Sequence, residues 1–310
     1  MPPSSAPPSS DVTDVILDVD TGVDDALALL LASTSPHLNL IAVTCVHGNV
    51  TLDQVVPNTL NVLHHAGRTD VPVAAGMDRP LVEPPRHARG VHGDNGIAGL
   101  QLTTATRTTE PGHAVDYLRR TILDAPRPIT LIPLAPLTNI ATLLTNHPEV
   151  KANIERIVFM GGAIASGNAS ASAEFNVRQD PEAADIVVQA GIPTTMYGLD
   201  VFHQVELSRT QAETLRDSHQ PAAQLAGQLL LAQMQNYGRD TTLIGDAGAV
   251  ASVIEPAALT TSPHPVRVEL TGAWTRGQTV VDQRPHATAT REEPWQPPMN
   301  TSIHVTTHVD

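Results

Sequence analysis

The chain is poor in several residue types that carry common chemistries: it has one cysteine, one lysine and only 3% aromatic residues in 310. A lone thiol, Cys45, forms no internal disulfide and builds no thiolate metal site. It lies inside the apolar run from Ile41 to Val46 and reads as a buried strand residue. With Lys151 as the only lysine, Schiff-base chemistry is excluded at almost every position. Neither a G-x-x-x-x-G-K-[ST] phosphate loop nor a G-x-G-x-x-G dinucleotide fingerprint occurs. No apolar run approaches the roughly 18 residues that suggest a membrane span. Positive charge is scarce too, 18 Lys and Arg against 32 Asp and Glu. The resulting net charge of -14 argues against nucleic acid as a partner, since phosphate contacts need clustered basic side chains. Met1 to Ser10 is rich in Pro and Ser and lacks the basic and apolar segments of a secretory signal. It reads as a disordered tail, and the expected location is the cytoplasm.

What is present is a 41% hydrophobic chain that can bury a large core, with one domain expected over residues 11–310. Apolar β-rich runs alternate with helical patterns: Val15 to Val19 precedes Asp24 to Thr34, and Leu38 to Val46 precedes Leu52 to His65. The alternation returns with Ile129 to Leu134 before Pro136 to Asn146, and with Ile157 to Met160 before Asp180 to Ala190 and Thr194 to Tyr197. Continuous apolar strands joined by helical crossovers imply an α/β fold, a largely parallel sheet with helices on both faces. Three C-terminal strands, Pro263 to Leu270, Gln278 to Asp282 and Ser302 to Val309, are expected to join the sheet edge or to form a small subdomain. In such sheets ligands bind beyond the carboxyl ends of the strands. The unusual polar residues fall there: Asp18 and Asp20 after the first strand, Asn49 after the second, Leu134 at the end of a third and Gly161-Gly162 after a fourth.

The run from Asp18 to Asp25 holds four carboxylates in eight residues, Asp18, Asp20, Asp24 and Asp25. Like charges at that spacing cost free energy unless a cation or a polyhydroxylated ligand lies between them. Helix capping accounts for one or two acids at a helix N-terminus, but not for Asp18 and Asp20 at the strand end facing them. An all-oxygen donor set suits Ca²⁺ or Mg²⁺ better than zinc.

Asp18-x-Asp20-x-Gly22-x-Asp24-Asp25 resembles the N-terminal signature of the nucleoside hydrolases, calcium-dependent enzymes that cleave N-ribosides to ribose and free base. The similarity continues through Gly48-Asn49, His92-Gly93-Asp94-Asn95-Gly96, Pro136-Leu137-Thr138-Asn139, Met160-Gly161-Gly162, Ala173-Glu174-Phe175-Asn176, Asp180-Pro181-Glu182, Gly198-Leu199-Asp200 and Thr275-Arg276-Gly277, nearly the whole chain in the family's order. The resemblance implies a Rossmann-like sheet and a homodimer or homotetramer. It makes Asp20, Asp25 and Asp246 the side-chain ligands of Ca²⁺, with the backbone carbonyl of Leu134 as another. Asp24 and Asn176 would hold the ribose 2′- and 3′-hydroxyls, and Asn168 and Glu174 the 5′-hydroxyl, with Met160 and Phe175 also at the substrate. Asn49 would stand near the attacking water and Asp20 would take its proton. The cleaved bond breaks through a transition state with positive charge on C1′ and the ring oxygen, which nearby carboxylates stabilise.

The leaving base is where the sequence departs from the pattern. Many relatives carry a His directly before the last calcium Asp, whereas here Gly245 precedes Asp246 and donates no proton. His92 is the substitute at hand, against its reading as a solvent-facing turn histidine, and Tyr237 is a weaker candidate. Trp274 and Trp295 are the only indoles able to stack on a base, with core packing the competing role for Trp274. Base preference stays open. A riboside-binding protein without turnover, or a hydrolase of a modified riboside, is the rival reading. The chain stops at Asp310, short of many relatives, so a terminal helix is expected to be absent.

Overall fold

Buried apolar side chains line both faces of β1 (Thr13–Val19), which makes it a central strand, and the rest of the sheet grows outward from it. The computed structural model describes residues 12–284 and 300–309. The expectations for Met1 to Ser10, Trp295 and Asp310 lie outside them. After β1 come α1 (Val23–Thr34), β2 (Leu38–Cys45), α2 (Leu52–His65), β3 (Val73–Ala75), α3 (Arg89–His92) and α4 (Ala114–Asp124). The middle of the chain supplies β4 (Ile129–Pro133), α5 (Thr138–Asn146), β5 (Ile154–Met160), α6 (Phe175–Gln179), α7 (Pro181–Val188), β6 (Thr194–Tyr197) and α8 (Leu199–Phe202). The last part adds β7 (Glu206–Ser208), α9 (Arg209–Arg216), α10 (Pro221–Tyr237), β8 (Thr241–Leu243), α11 (Asp246–Ile254), β9 (Leu259–Val268), β10 (Thr279–Val281) and β11 (Asn300–Val309).

The main sheet runs β10-β9-β11-β6-β5-β4-β1-β2-β3. Strands β1 to β6 are mutually parallel, with Val19 opposite Cys45 on one side of β1 and Leu17 opposite Ile132 on the other. The strand order thus reverses at β1, and the crevice between the carboxyl ends of β1 and β4 is where such a sheet presents a ligand site. One face is covered by α1, α2, α10 and α11, the other by α4, α5 and α7. The three C-terminal strands extend the main sheet rather than forming a separate body: β11 pairs parallel with β6 and antiparallel with β9. Among the described residues no helix is long and apolar enough to cross a membrane.

Two polar features stiffen the strand ends. Asp18 is buried in β1 and accepts from Thr44 Oγ1 at 2.6 Å and Asn139 Nδ2 at 2.8 Å, both on Oδ1. Its Oδ2 has no partner, and burial pushes the carboxyl up to about 7. Farther out, Arg276 donates to Glu83 at 2.5 Å and to Glu182 at 2.9 Å, and Arg178 donates to Glu83 at 3.1 Å. These contacts tie the loop after β3 to α7 and to the turn before β10. Burial pushes the Glu83 carboxyl up, but the two guanidinium groups outweigh it and hold it near about 2.

Candidate active site

The turn from β1 into α1 is built around Asp25. Its Oδ2 accepts from Gly22 N–H at 2.9 Å and its Oδ1 from Asp20 N–H at 3.1 Å, so the acid that starts the helix also fixes the backbone of the acidic run. Asp20 is gripped by the turn after β2. Asn49 donates its backbone N–H to Asp20 Oδ2 at 2.6 Å and its side-chain amide to Oδ1 at 3.1 Å. The same amide nitrogen reaches Asp25 Oδ2 at 3.2 Å, so one asparagine bridges two carboxylates. This approach requires Gly48, where a Cβ would stand 1.9 Å from Asp20 Oδ2.

Above Asn49 opens a cavity of about 180 Å³ walled by Asp24, His92, Glu174, Asn176, Phe202 and Asp246, with Leu134, Met160, Asn168 and Phe175 completing the lining among the residues expected here. Asp20 and Asp25 are fully buried and reach this cavity through Asn49 rather than lining it. Asp18, part of the acidic run, is turned into the strand contacts already described. Among the described residues neither Lys nor Arg lines the cavity. Burial pushes the carboxyls of Asp20, Asp24, Asp25 and Asp246 upward, and the charge of Asp25 adds to the effect on Asp20 and Asp246.

Asp246, the first residue of α11, is 5% exposed, and its carboxylate takes no hydrogen bond from the described residues. Asp24 is steadied by α10: Gln233 Nε2 lies 3.4 Å from its Oδ1, while Thr242 Oγ1 donates to Gln233 Oε1 at 2.6 Å. The sequence reading did not single out Gln233, a buried glutamine on a helix far along the chain, and no local pattern marks it.

At the opposite wall Glu174 caps α6. Its oxygens accept from the backbone N–H groups of Asn176 (2.9 Å), Gly162 (3.0 Å) and Val177 (3.1 Å). A carboxylate has about four acceptor sites, so roughly one remains for a ligand. Asn176, which lines the cavity, donates from Nδ2 to the carbonyls of Leu134 (2.9 Å) and Met160 (3.2 Å). Asn168, exposed at the rim, accepts from Phe175 N–H at 2.8 Å.

His92 is buried at the end of α3, not a solvent-facing turn residue, and its Nδ1 accepts from Val23 N–H at 3.3 Å. Because a backbone N–H can only donate, the ring proton belongs on Nε2. Tyr237 does not line the cavity; its Oη donates to the Val91 carbonyl at 3.1 Å and braces the His92 segment. Trp274 is 90% exposed, so it neither packs in the core nor lines the cavity. A larger cavity of about 410 Å³ among α1, α10 and α11 is nearly all apolar, with Tyr197 as the only ionisable group among the described residues that line it.

Among the described residues no three Asp, Glu, His or Cys side chains already stand at metal-holding spacing. At Asp20 and Asp25 all four carboxylate oxygens accept from N–H donors. The donor chemistry nevertheless fits a hard divalent cation: every group is an oxygen, Asp246 is buried without a donor, and the amide nitrogen of Asn49 stands between Asp20 and Asp25 as a weak positive end.

A family model described as inosine-uridine preferring nucleoside hydrolase matches residues 15–310. The chain is 40% identical over 274 residues to the pyrimidine-specific ribonucleoside hydrolase RihA of Photobacterium profundum, a match covering 87% of this chain and 88% of that protein. The RihA of Shewanella sp. (strain MR-7) is also 40% identical over 274 residues, covering 87% and 86%. Among solved structures, the purine-preferring ribonucleoside hydrolase from Gardnerella vaginalis superimposes with a TM-score of 0.86 at 33% identity, over 96% of this chain and 94% of that one. With its strand order, its acidic turn after β1 and this agreement over nearly its full length, the chain belongs to the inosine-uridine preferring nucleoside hydrolase family, N-glycosyl hydrolases that cut ribonucleosides to ribose and free base.

Proposed function

We propose that this chain is a Ca²⁺-dependent hydrolase of pyrimidine ribonucleosides in which Asp20 is the general base. Asp20, Asp25, Asp246 and the Leu134 carbonyl would hold the cation. The observation that carries this is Asp246: a buried carboxylate without a donor, beside Asp20, Asp24 and Asp25 and with no described lysine or arginine in the cavity lining, calls for a cation. When bound, Ca²⁺ would supply Lewis-acid chemistry, lowering the pKa of a coordinated water and anchoring vicinal hydroxyls.

Asp24, held by Gln233, and Asn176, held by two backbone carbonyls, would take the 2′- and 3′-hydroxyls. Glu174 and Asn168 would take the 5′-hydroxyl, with Met160 and Phe175 walling the sugar. In the reaction the C1′–N bond breaks and its electron pair leaves on the base nitrogen. Oxygen of the attacking water bonds to C1′ and its proton passes to Asp20, with Asn49 fixing the Asp20 oxygens. His92 would present Nε2–H to an acceptor on the base and stabilise its developing negative charge; the released base takes a proton from solvent.

Identity of 40% to hydrolases named pyrimidine-specific supports uridine and cytidine as first substrates. A single catalytic domain over residues 11–310, a homodimer or homotetramer, and a cytoplasmic location complete the proposal, supported by the family resemblance alone. The test is ribose release from uridine, cytidine, inosine, guanosine, adenosine and 2′-deoxyuridine, with Ca²⁺ and with a strong chelator. Chelator-sensitive release that is fastest for uridine and cytidine and absent for 2′-deoxyuridine is expected. Release indifferent to chelator refutes the metal, and an equal rate for 2′-deoxyuridine refutes the anchoring of the 2′-hydroxyl.

A further inference from the structure

Gly245 precedes Asp246 at the cavity wall, and a side chain there has no room. A Cβ would stand 2.3 Å from Phe202 Cε2, 2.8 Å from its Cδ2 and 3.4 Å from Asp24 Oδ2. The space that residue 245 would fill is therefore taken by the ring of Phe202, the last residue of α8. That ring lines the cavity together with Asp24, His92, Val91 and Asp246. It is buttressed from outside by His203, whose ring meets it edge-on with centroids 5.4 Å apart at 90°. Across the same wall, Tyr237 fixes Val91 and the Val23 N–H fixes His92. An aromatic ring and a ring N–H donor thus stand together in the part of the cavity that Asp24 and Asp246 also line.

We infer that Phe202 is the specificity-determining wall on which the departing nucleobase stacks, and that Gly245 exists to admit its ring. This rests on the ribonucleoside hydrolase reading of the same site. Outside the residues assigned to the sugar, the cation and the water, the described lining left for the base is Phe202, Ala88, Ala169 and the Val91–His92 segment, of which Phe202 alone offers an aromatic face and His92 alone a ring N–H. A π-face there holds any planar base without reading its hydrogen-bonding edge, and the edge is left to His92 Nε2–H. Base activation in this chain is then shared between stacking and one hydrogen bond, with no proton from residue 245.

The test compares wild type with Phe202→Leu, which keeps an apolar side chain of similar bulk and removes the π-face, and with Phe202→Tyr, which restores it. The readouts are kcat/KM for uridine and inosine, and inhibition by free ribose, which has no base to stack. The expected result is a loss of about tenfold in kcat/KM for Phe202→Leu, near-complete rescue by Phe202→Tyr, and an unchanged inhibition constant for ribose. Gly245→His alone should fold poorly or lose activity, and adding Phe202→Ala should recover part of that loss. Unchanged nucleoside kcat/KM in Phe202→Leu overturns the inference while leaving the hydrolase reading intact. Weakened ribose inhibition in step with kcat/KM assigns Phe202 a merely structural role and overturns it too. A wild type that releases no ribose from any nucleoside sinks both.

Discussion

Gly48→Ala tests the central claim that Asp20 is set by the backbone of the turn after β2. The added methyl would lie 1.9 Å from Asp20 Oδ2, 2.7 Å from its Cγ and 2.9 Å from its Cβ, so the whole carboxylate has to move. Moving it loosens two hydrogen bonds from Asn49, at 2.6 and 3.1 Å. Forced overpacking of this kind costs about 1–3 kcal/mol, which for a chain of this size lowers Tm by roughly 2–6 °C. The effect on rate should be larger in proportion, because a misplaced general base forfeits about 10²–10⁴ in kcat. Ribose release from uridine at saturating Ca²⁺, together with a thermal melt, gives both numbers. Gly90→Ala is the control: its methyl meets open space, it lies in helix α3, and it should change neither quantity. If Gly48→Ala keeps kcat within about threefold of wild type, the backbone of the turn does not position Asp20 and the argument fails.

Other perturbations probe separate parts of the site. Asp246→Asn removes a buried, unpaired charge, so Tm in chelator should rise, the further rise on adding Ca²⁺ should vanish, and turnover should fall at least about a hundredfold; a Ca²⁺-dependent rise that survives would take Asp246 out of the ligand set. Gln233→Leu should raise KM for uridine several-fold through loss of the Asp24 contact, with a smaller change in kcat, and unchanged kinetics would show that α10 does not steady Asp24. Glu83, held down to about 2 against an ordinary 4.5, contributes stability that is complete above its unfolded pKa and lost as pH falls through its folded one. The gap in urea midpoint between wild type and Glu83→Gln should therefore be widest near neutral pH and narrow below about pH 4.5. A gap that is constant with pH would mean that the Arg276 and Arg178 contacts act by packing alone.

Strands β1, β2, β4 and β5 are legible because they are continuous apolar runs, whereas β3, α3 and α4 are not among the expected elements. Leu52–His65 and Thr194–Tyr197 coincide with their expected bounds, and the sheet with its helix-covered faces follows from the alternation. The helix expected from Pro136 starts at Thr138, and the one expected over Asp180 to Ala190 spans Pro181–Val188, with Asp180 as its cap. No secondary structure is expected from the sequence between Glu206 and Ile254, although Tyr237, Gly245 and Asp246 are singled out there, since α10 mixes glutamines with leucines around its circumference and β7 and β8 have three residues each. The cavity residues were found through motifs, yet their partners were not. Gln233 meets Asp24 from 209 positions away, and nothing near Gly245 in sequence announces the ring of Phe202. The exposed Trp274 shows the converse, a large aromatic whose expected burial the fold does not provide.

The reversal of strand order at β1 also bears on how the protein reaches its working form. Asp20, Asn49, Leu134, Asn176 and Asp246 follow β1, β2, β4, β5 and β8 in turn, so the site draws on nearly the full length of the chain. Parallel strands close only after long crossovers have formed, and contacts of such high sequence separation are slow to assemble. A fragment lacking α11 carries an incomplete site, because the last carboxylate enters with that helix. Partly folded chains can therefore hold much of their secondary structure while the site is still incomplete, and recovery of turnover during refolding is expected to lag behind recovery of helix.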